Sequence, residues 1–307
     1  MKTYPKNIPA SIHARLANEA RRLRKPFGDI LQHYGMERFL YRLFRTKYAN
    51  NFILKGGLIF TVWEIPLRRP TKDIDFLGSF GNRKETMLEA VKAAIAVEVP
   101  EDGVEFDINT IMIEERQVDA DRFGIHASFL GYLGRAEIPM QIDIGFSDEI
   151  TSPSKEIRYP TLLSNMGAPI LRGYPPEAVV AEKFHAMERF SASPSRWKDY
   201  YDVWLISEYF ELDSQSLHKA IDTTFRNRNT RIPYKRPTSL TAEFASIYKD
   251  GWKSFVRKND LESSEVGDLA LMVEKIWKFL EYPLKILAIQ SGEKDHRNWK
   301  PHEGKWK

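Results

Sequence analysis

The chain has no cysteine, which excludes a disulfide framework, a thiolate zinc site and a cysteine nucleophile. It also lacks any uninterrupted apolar run near the roughly 18 residues that a membrane-spanning helix needs. Its opening segment, MKTYPKNIPASIHARLANEA, has no apolar stretch of the kind a secretory signal carries, so a cytoplasmic protein with no membrane segment is expected. Internal repeats and low-complexity tracts are absent too. Charge of one sign is scarce: 46 Lys plus Arg against 42 Asp plus Glu leaves +4, which does not demand a polyanionic partner. The excess is instead clustered, at Arg21, Arg22, Arg24 and Lys25, at Arg42, Arg45 and Lys47, and at Arg226, Arg228, Arg231, Lys235 and Arg236. Such runs are solvated helix faces or, less often, phosphate-contacting patches.

What is present suffices for a folded protein. Of 307 residues, 42% are hydrophobic and 12% aromatic, enough for a sizeable core, and the length favours two lobes over one. Helical spacing of apolar residues from Ser11 to Tyr48, interrupted at Pro26, predicts two opening helices. Asn51–Leu54 reads as a short strand running into Lys55-Gly56-Gly57 and then a helix, and Pro66–Pro70 as a loop. Strands are expected at Asp73–Leu77, Val104–Ile113, Gly124–Leu133 and Pro139–Phe146, with a helix at Glu85–Val97 and turns at Gly131–Gly134 and around Pro139. The fold class expected is α/β (α+β), with a mixed, largely antiparallel sheet and a C-terminal helical lobe. The lobe comprises helices at Glu177–Arg189, Trp197–Tyr209, Ser216–Phe225, Leu240–Val256 and Val266–Ile289, the last broken at Pro283. The division reads as 1–172, 173–290 and a loosely held polar tail, 291–307.

Asp73 and Asp75 stand two apart in a strand, so both carboxylates share one face while Ile74 and Phe76 take the other. Adjacent negative charges on a sheet are unfavourable unless a cation neutralises them, and Mg²⁺, which takes oxygen ligands and keeps water and substrate phosphate, suits such a pair. Asp143, in Met140-Gln-Ile-Asp-Ile-Gly145, is a third candidate ligand on a strand of its own. Two cations about 4 Å apart, bridged by carboxylates, stabilise attacking and leaving oxygens in displacement at phosphorus. Gly56 and Gly57, between strand and helix, let the backbone and the helix N-terminus approach phosphate, with Lys55 adding charge. Taken singly, a Gly-Gly pair closes a turn and an Asp-x-Asp marks a solvated edge strand; the ordered combination is more restrictive.

The runs Phe52-Ile-Leu-Lys-Gly-Gly-Leu-Ile59 and Arg69-Pro-Thr-Lys-Asp-Ile-Asp-Phe76 resemble the AbiEii/AbiGii toxin family of the polymerase-β-like nucleotidyltransferase superfamily. So do Glu177-Ala-Val-Val-Ala-Glu-Lys-Phe-His-Ala-Met-Glu-Arg189 and Arg196-Trp-Lys-Asp-Tyr-Tyr-Asp202. The similarity runs from about residue 30 to 206. It implies a metal-dependent nucleotidyltransferase that uses an NTP with Mg²⁺ or Mn²⁺. In members called MenT the acceptor is the tRNA 3′ end, and a cognate antitoxin is encoded nearby. By match to the motifs, Asp73, Asp75 and Asp143 would hold metal, and Lys183 with Asp199 or Asp202 would complete the catalytic set. Gly56 and Gly57 would form the phosphate turn, with Lys55 adding charge nearby, and Thr71 would be a nearby hydroxyl; Arg69 and Arg189 either bind phosphate or pair with Asp199 and Asp202. Many superfamily members have Gly-Ser where this chain has Gly56-Gly57.

Read without the family, Lys183 shares a stripe with Val179, Ala186 and Phe190, which predicts a stem on apolar surface and an ammonium reaching water. Lys198, Asp199 and Asp202 read as a surface i, i+4 pair with a spare acid. His185 lacks acids at metal spacing and reads as packing or surface. Trp197, Tyr200, Tyr201 and Trp204 recur at helical spacing as core rather than a base-stacking platform. Asp148 and Glu149 are expected to cap a turn beyond the strand of Asp143. The expected reaction is attack of an acceptor hydroxyl on the α-phosphorus, with Asp143 taking the proton and the helical lobe closing over the nucleotide. Competing readings are a small-molecule, antibiotic-type nucleotidyltransferase, a non-catalytic binding module of the same fold, and kinase-like transfer releasing a nucleoside diphosphate.

Overall fold

A computed structural model describes residues 7–65, 69–81, 83–119, 122–146, 154–190, 196–233, 235–261, 266–288 and 296–307. The chain forms two compact units, one of residues 1–64, 70–147 and 154–173 and one of 65–69, 148–153 and 174–307.

The first unit opens with α1 (Ile8–Leu23), which Asn7 caps by accepting the Ala10 N–H. It stops at Arg24, whose left-handed backbone (φ 52°) turns the chain into Pro26 and α2 (Phe27–Leu43). There follow β1 (Phe52–Lys55), a single 3₁₀ turn at Gly56–Leu58, the short α3 (Ile59–Val62), β2 (Ile74–Gly78) and α4 (Lys84–Ile95). The sheet continues through β3 (Val104–Asp119), β4 (Arg122–Leu133), β5 (Ala136–Phe146), β6 (Lys155–Arg158) and β7 (Ile170–Gly173). Its order is β3-β4-β5-β2-β1-β7-β6. Pairings β1–β7 and β2–β5 are parallel and the others antiparallel, which is the mixed, largely antiparallel sheet expected.

One face of this sheet is apolar by strand alternation. Ile74, Phe76, Ile125, Ala127, Ile142 and Ile144 are all buried there. α2 packs on β5 and α4 on β3, so the opposite face at β2, β4 and β5 is where the acids stand. Strands β3 and β5 run longer than apolar alternation alone indicates, and β6 and β7 carry no such alternation. Pro139 does not mark a turn. It lies inside β5 opposite Leu130, whose N–H is given to Thr110 Oγ1, so the Leu130–Pro139 pair needs no N–H from proline. The hairpin turn instead joins Leu133 to Ala136.

Arg42 belongs to no surface patch: it is buried on α2 and grips the Asp102 carboxylate with both terminal nitrogens, at 2.7 and 3.0 Å. Beside it Glu37 and Arg38 are a buried ion pair, with Leu162 donating its N–H to Glu37 Oε2 at 2.7 Å. Burial pushes the Glu37 carboxyl up to about 7.

The second unit is helical: α5 (Pro176–Phe190), α6 (Trp197–Tyr209), α7 (Ser214–Asn227), α8 (Ala242–Lys258) and α9 (Leu269–Ala288). Pro283 sits within α9, which runs on to Ala288 instead of breaking there. Trp197, Tyr200, Tyr201 and Trp204 are all buried, as the helical spacing indicated, with Tyr200 stacked on Phe244. The end of the chain is not loosely held where it is described. Trp299 (β8, Trp299–Lys300) is buried and gives its indole N–H to Ser207 O, and Trp306 (β9, Lys305–Trp306) stacks on Phe279. Two apolar indoles against α9 outweigh the polarity of their neighbours. Among the described residues no helix is long and apolar enough to cross a membrane.

Candidate active site

Strand register brings the acids together. β2 and β5 run parallel with Asp75 level with Asp143, and across the β4–β5 hairpin Asp143 faces His126. On the other side Lys55 of β1 lies opposite Asp75. A row of ionisable side chains, Glu114, His126, Asp143, Asp75 and Lys55, thus crosses β3, β4, β5, β2 and β1 on a single face. Asp73, immediately before β2, completes the cluster. One carboxylate oxygen from each of Asp73, Asp75 and Asp143 lies within 4.8 Å of the others, and all three residues are half-buried.

The Gly56–Gly57 turn meets this cluster. Gly56 has φ +66°, and a Cβ there would fall 1.9 Å from Asp75 Oδ2, so only glycine allows both the backbone and the acid. At Gly57 a Cβ would lie 2.7 Å from Thr71 Oγ1, so Thr71 fills the space that the side chain of a Gly-Ser turn would need. Thr71 gives its hydroxyl proton to Asp73 Oδ1 at 2.8 Å. Lys55 reaches towards β5: its Nζ is 3.7 Å from where a Cβ on Gly145 would be.

Around Asp143 stand two groups that sequence reasoning passed over. His126 is buried, and its Nδ1 is 2.8 Å from Asp143 Oδ1. Arg116 of β3, half-exposed, is 4.0 Å from the same oxygen. The signal for His126 lay in the turn: once Leu133 pairs with Ala136, antiparallel counting puts 126 opposite 143.

Lys183, Asp199, Asp202 and Arg69 form a separate cluster within the second unit. Lys183 Nζ is 2.7 Å from Asp202 Oδ2 and 3.1 Å from Asp199 Oδ1. Arg69 forks onto Asp202, Nε to Oδ1 at 3.1 Å and Nη2 to Oδ2 at 2.9 Å. Arg196 reaches Asp199 at 3.3 Å. These acids are not a surface pair: Asp199 and Asp202 are buried, and the Lys183 side chain is 11% exposed, so it does not snorkel to water. Lys198 alone of that group faces solvent. Burial opposes the Lys183 ammonium, but Asp202 and Asp199 more than offset it, and the group sits above the ordinary lysine range. Burial likewise opposes the Asp202 carboxylate, and Arg69 and Lys183 hold it below the ordinary range. Arg189 is exposed over the Phe190 ring, 5.6 Å from its centroid. His185 is core, edge-on to Phe225, with Arg228 donating to its Nδ1. Of the third basic cluster, Arg226, Arg228 and Arg236 pair with Asp222, Glu182 and Glu274. Asp148 and Glu149 lie outside the described residues.

The donor set suits a hard divalent cation. Three carboxylate oxygens converge at half-buried positions, no soft ligand stands among them, and the clustered negative charge calls for neutralisation.

A family model described as nucleotidyl transferase AbiEii toxin, type IV TA system, matches residues 38–281. Among solved structures, JHP933 from Helicobacter pylori is similar at 15% identity and a TM-score of 0.48, over 85% of this chain and 94% of that one. A second H. pylori protein, provisionally described as a nucleotidyltransferase, is similar at 15% identity and a TM-score of 0.44, over 84% and 96%. No curated protein matches in sequence.

Proposed function

Because this chain belongs to the AbiEii nucleotidyl transferase toxin family of type IV toxin–antitoxin systems, we propose that it transfers a nucleoside monophosphate from an NTP to an RNA 3′ end such as that of tRNA. The family assignment carries a nucleotide substrate and an antitoxin partner with it. The finer reading rests on one observation: Asp73, Asp75 and Asp143 converge within 4.8 Å beside the Gly56–Gly57 turn.

In this reading Asp73, Asp75 and Asp143 would hold divalent cations, Mg²⁺ or Mn²⁺, which supply charge neutralisation and Lewis-acid activation at the phosphates. Thr71 keeps Asp73 oriented, and the glycine turn, bare of side chains, admits the triphosphate with Lys55 close by. The acceptor hydroxyl attacks the α-phosphorus, its proton passes to Asp143, and the bond to the β-phosphate breaks to release pyrophosphate. Lys183, Asp199 and Asp202 are assigned to the same catalytic set, with Arg69 and Arg189 as phosphate contacts. The family resemblance of 177–202 supports this. An RNA acceptor is favoured by the exposed Arg21 and Arg24 at the end of α1, beside an Arg22 that pairs with Glu19, a basic patch with no part in the acid cluster.

The test is incubation of purified protein with each labelled NTP, Mg²⁺ and total tRNA. The expected result is label at RNA 3′ ends with stoichiometric pyrophosphate. No label on RNA with any nucleotide removes the RNA reading, and release of a nucleoside diphosphate removes nucleotidyl transfer itself.

A further inference from the structure

Asp143 has 41% of its side chain open to solvent, yet one of its oxygens is held by a buried neighbour. The neighbour is His126, whose side chain is only 6% exposed and whose Nδ1 stands 2.8 Å from Asp143 Oδ1. Strand pairing holds the imidazole at that spot: Ile125, Ala127 and Phe129 bury the other face of β4, and His126 is level with Asp143 in the ladder. Arg116 at 4.0 Å is too long and too exposed to fix an orientation.

We propose that His126 is a positioning residue for cation capture: its Nδ1–H holds Asp143 Oδ1 and presents the remaining carboxylate oxygen to the cluster with Asp73 and Asp75. A carboxylate bears no hydrogen, so the shared proton belongs to the imidazole, and the tautomer is Nδ1–H. Without this bond, an aspartate whose side chain is partly exposed would rotate away from two neighbouring acids that repel it. Each capture of a cation would then have to restrain it anew. The proposal rests on the acids binding metal, and its test separates the two.

Mn²⁺ binding to the full-length protein is measured by electron paramagnetic resonance in the parent, Asp75→Ala, His126→Leu and His126→Asn. Asparagine places an N–H donor close to the position of Nδ1. About tenfold weaker Mn²⁺ binding is expected for His126→Leu, with recovery in His126→Asn and an unchanged thermal midpoint without metal, as is typical of a lost outer partner of a metal ligand. In transfer assays the same loss appears as a raised KM for the metal with kcat restored at saturation. A merely structural histidine would lower the midpoint and leave the affinity alone. Parental affinity in His126→Leu overturns the proposal while leaving the metal reading intact. Mn²⁺ binding that Asp75→Ala does not change overturns both. Should the leucine variant not fold, ¹⁵N imidazole resonances of the parent decide: Nδ1–H at His126 supports the proposal and Nε2–H ends it.

Discussion

The acid cluster of the sheet and the acid cluster of α6 are built on opposite principles. On the sheet, three carboxylate oxygens gather within 4.8 Å at half-buried positions, beside a buried imidazole, a hydroxyl and a distant guanidinium, with Lys55 opposite Asp75 in the ladder. On α6, Asp199 and Asp202 are buried among cations at 2.7 to 3.3 Å: Lys183, Arg69 and Arg196. The first arrangement concentrates like charge where water and ions reach it, a cost to the fold. The second balances charge where water does not reach, and its integrity is part of the fold's stability. Acids kept close together at a stability cost are the ones to suspect of holding a cation directly, and acids in a balanced buried network can serve only by fixing their partners in place.

Predictions follow that contrast. The largest effect is expected at the sheet: Asp75→Ala should lower transfer by about a thousandfold, the scale of losing a charge-stabilising group at a reacting centre, while changing the thermal midpoint little, because the relief of a like-charge contact offsets the loss of the carboxylate opposite Lys55. Pyrophosphate-release kinetics beside calorimetry will show it. A marked fall in the midpoint would mean the sheet acids are structural, erasing the contrast. On α6 the pattern reverses. Asp202→Ala removes the carboxylate that Arg69 forks onto and leaves Lys183 with Asp199, and should destabilise the helical unit by about 3–5 kcal/mol, read by urea unfolding. Between these lies Gly56→Ala, where a left-handed φ and a Cβ aimed at Asp75 coincide. It should cost about 1–3 kcal/mol and reduce transfer by displacing the acid.

The pH responses sharpen the comparison further. Asp202 has its folded value lowered, so its stabilisation is present above the usual aspartate range and is lost as pH falls through the lower folded value. Lys183 has its value raised, so its contribution persists below the usual lysine range and disappears only as pH climbs beyond it. The α6 network should therefore be insensitive to pH throughout the neutral range. Glu37 behaves otherwise. Its folded value, pushed from 4.5 up to about 7 by burial, means the folded state holds a proton that the unfolded chain has released, so stability declines as pH rises from 4.5 to 7 and then levels. Thermal midpoints against pH for the parent and Glu37→Gln should differ in slope in that window alone. A parallel pair of curves would place the ionised form of Glu37 in the core across the whole range.

Much of the site was legible before any fold. Asp73 and Asp75 at period two, an Asp flanked by isoleucines at 143, and Gly-Gly between strand and helix are local patterns, and local patterns survive in a linear reading because backbone geometry spaces them. Lys183 and the α6 acids were less legible. The same i, i+4 arithmetic describes a solvated pair and a buried network, and only packing distinguishes them. His126 was hidden for a different reason, since its meaning depends on a hairpin register set by residues 133 and 136 and not by its own neighbours. The tail misled because a polar composition says nothing about where two indoles find a surface.

By itself the sequence determined which side chains share a strand face, which segments are helical, and which chemistry the acids favour, since these depend on φ/ψ preference and alternation within a few residues. Tertiary structure alone decided that Asp75 lies level with Asp143, that His126 stands behind it, and that Asp202 answers to Arg69 across a separation of 133 residues. Strand order and helix docking are settled by how the whole apolar surface is buried, a sum over distant residues that no short window contains.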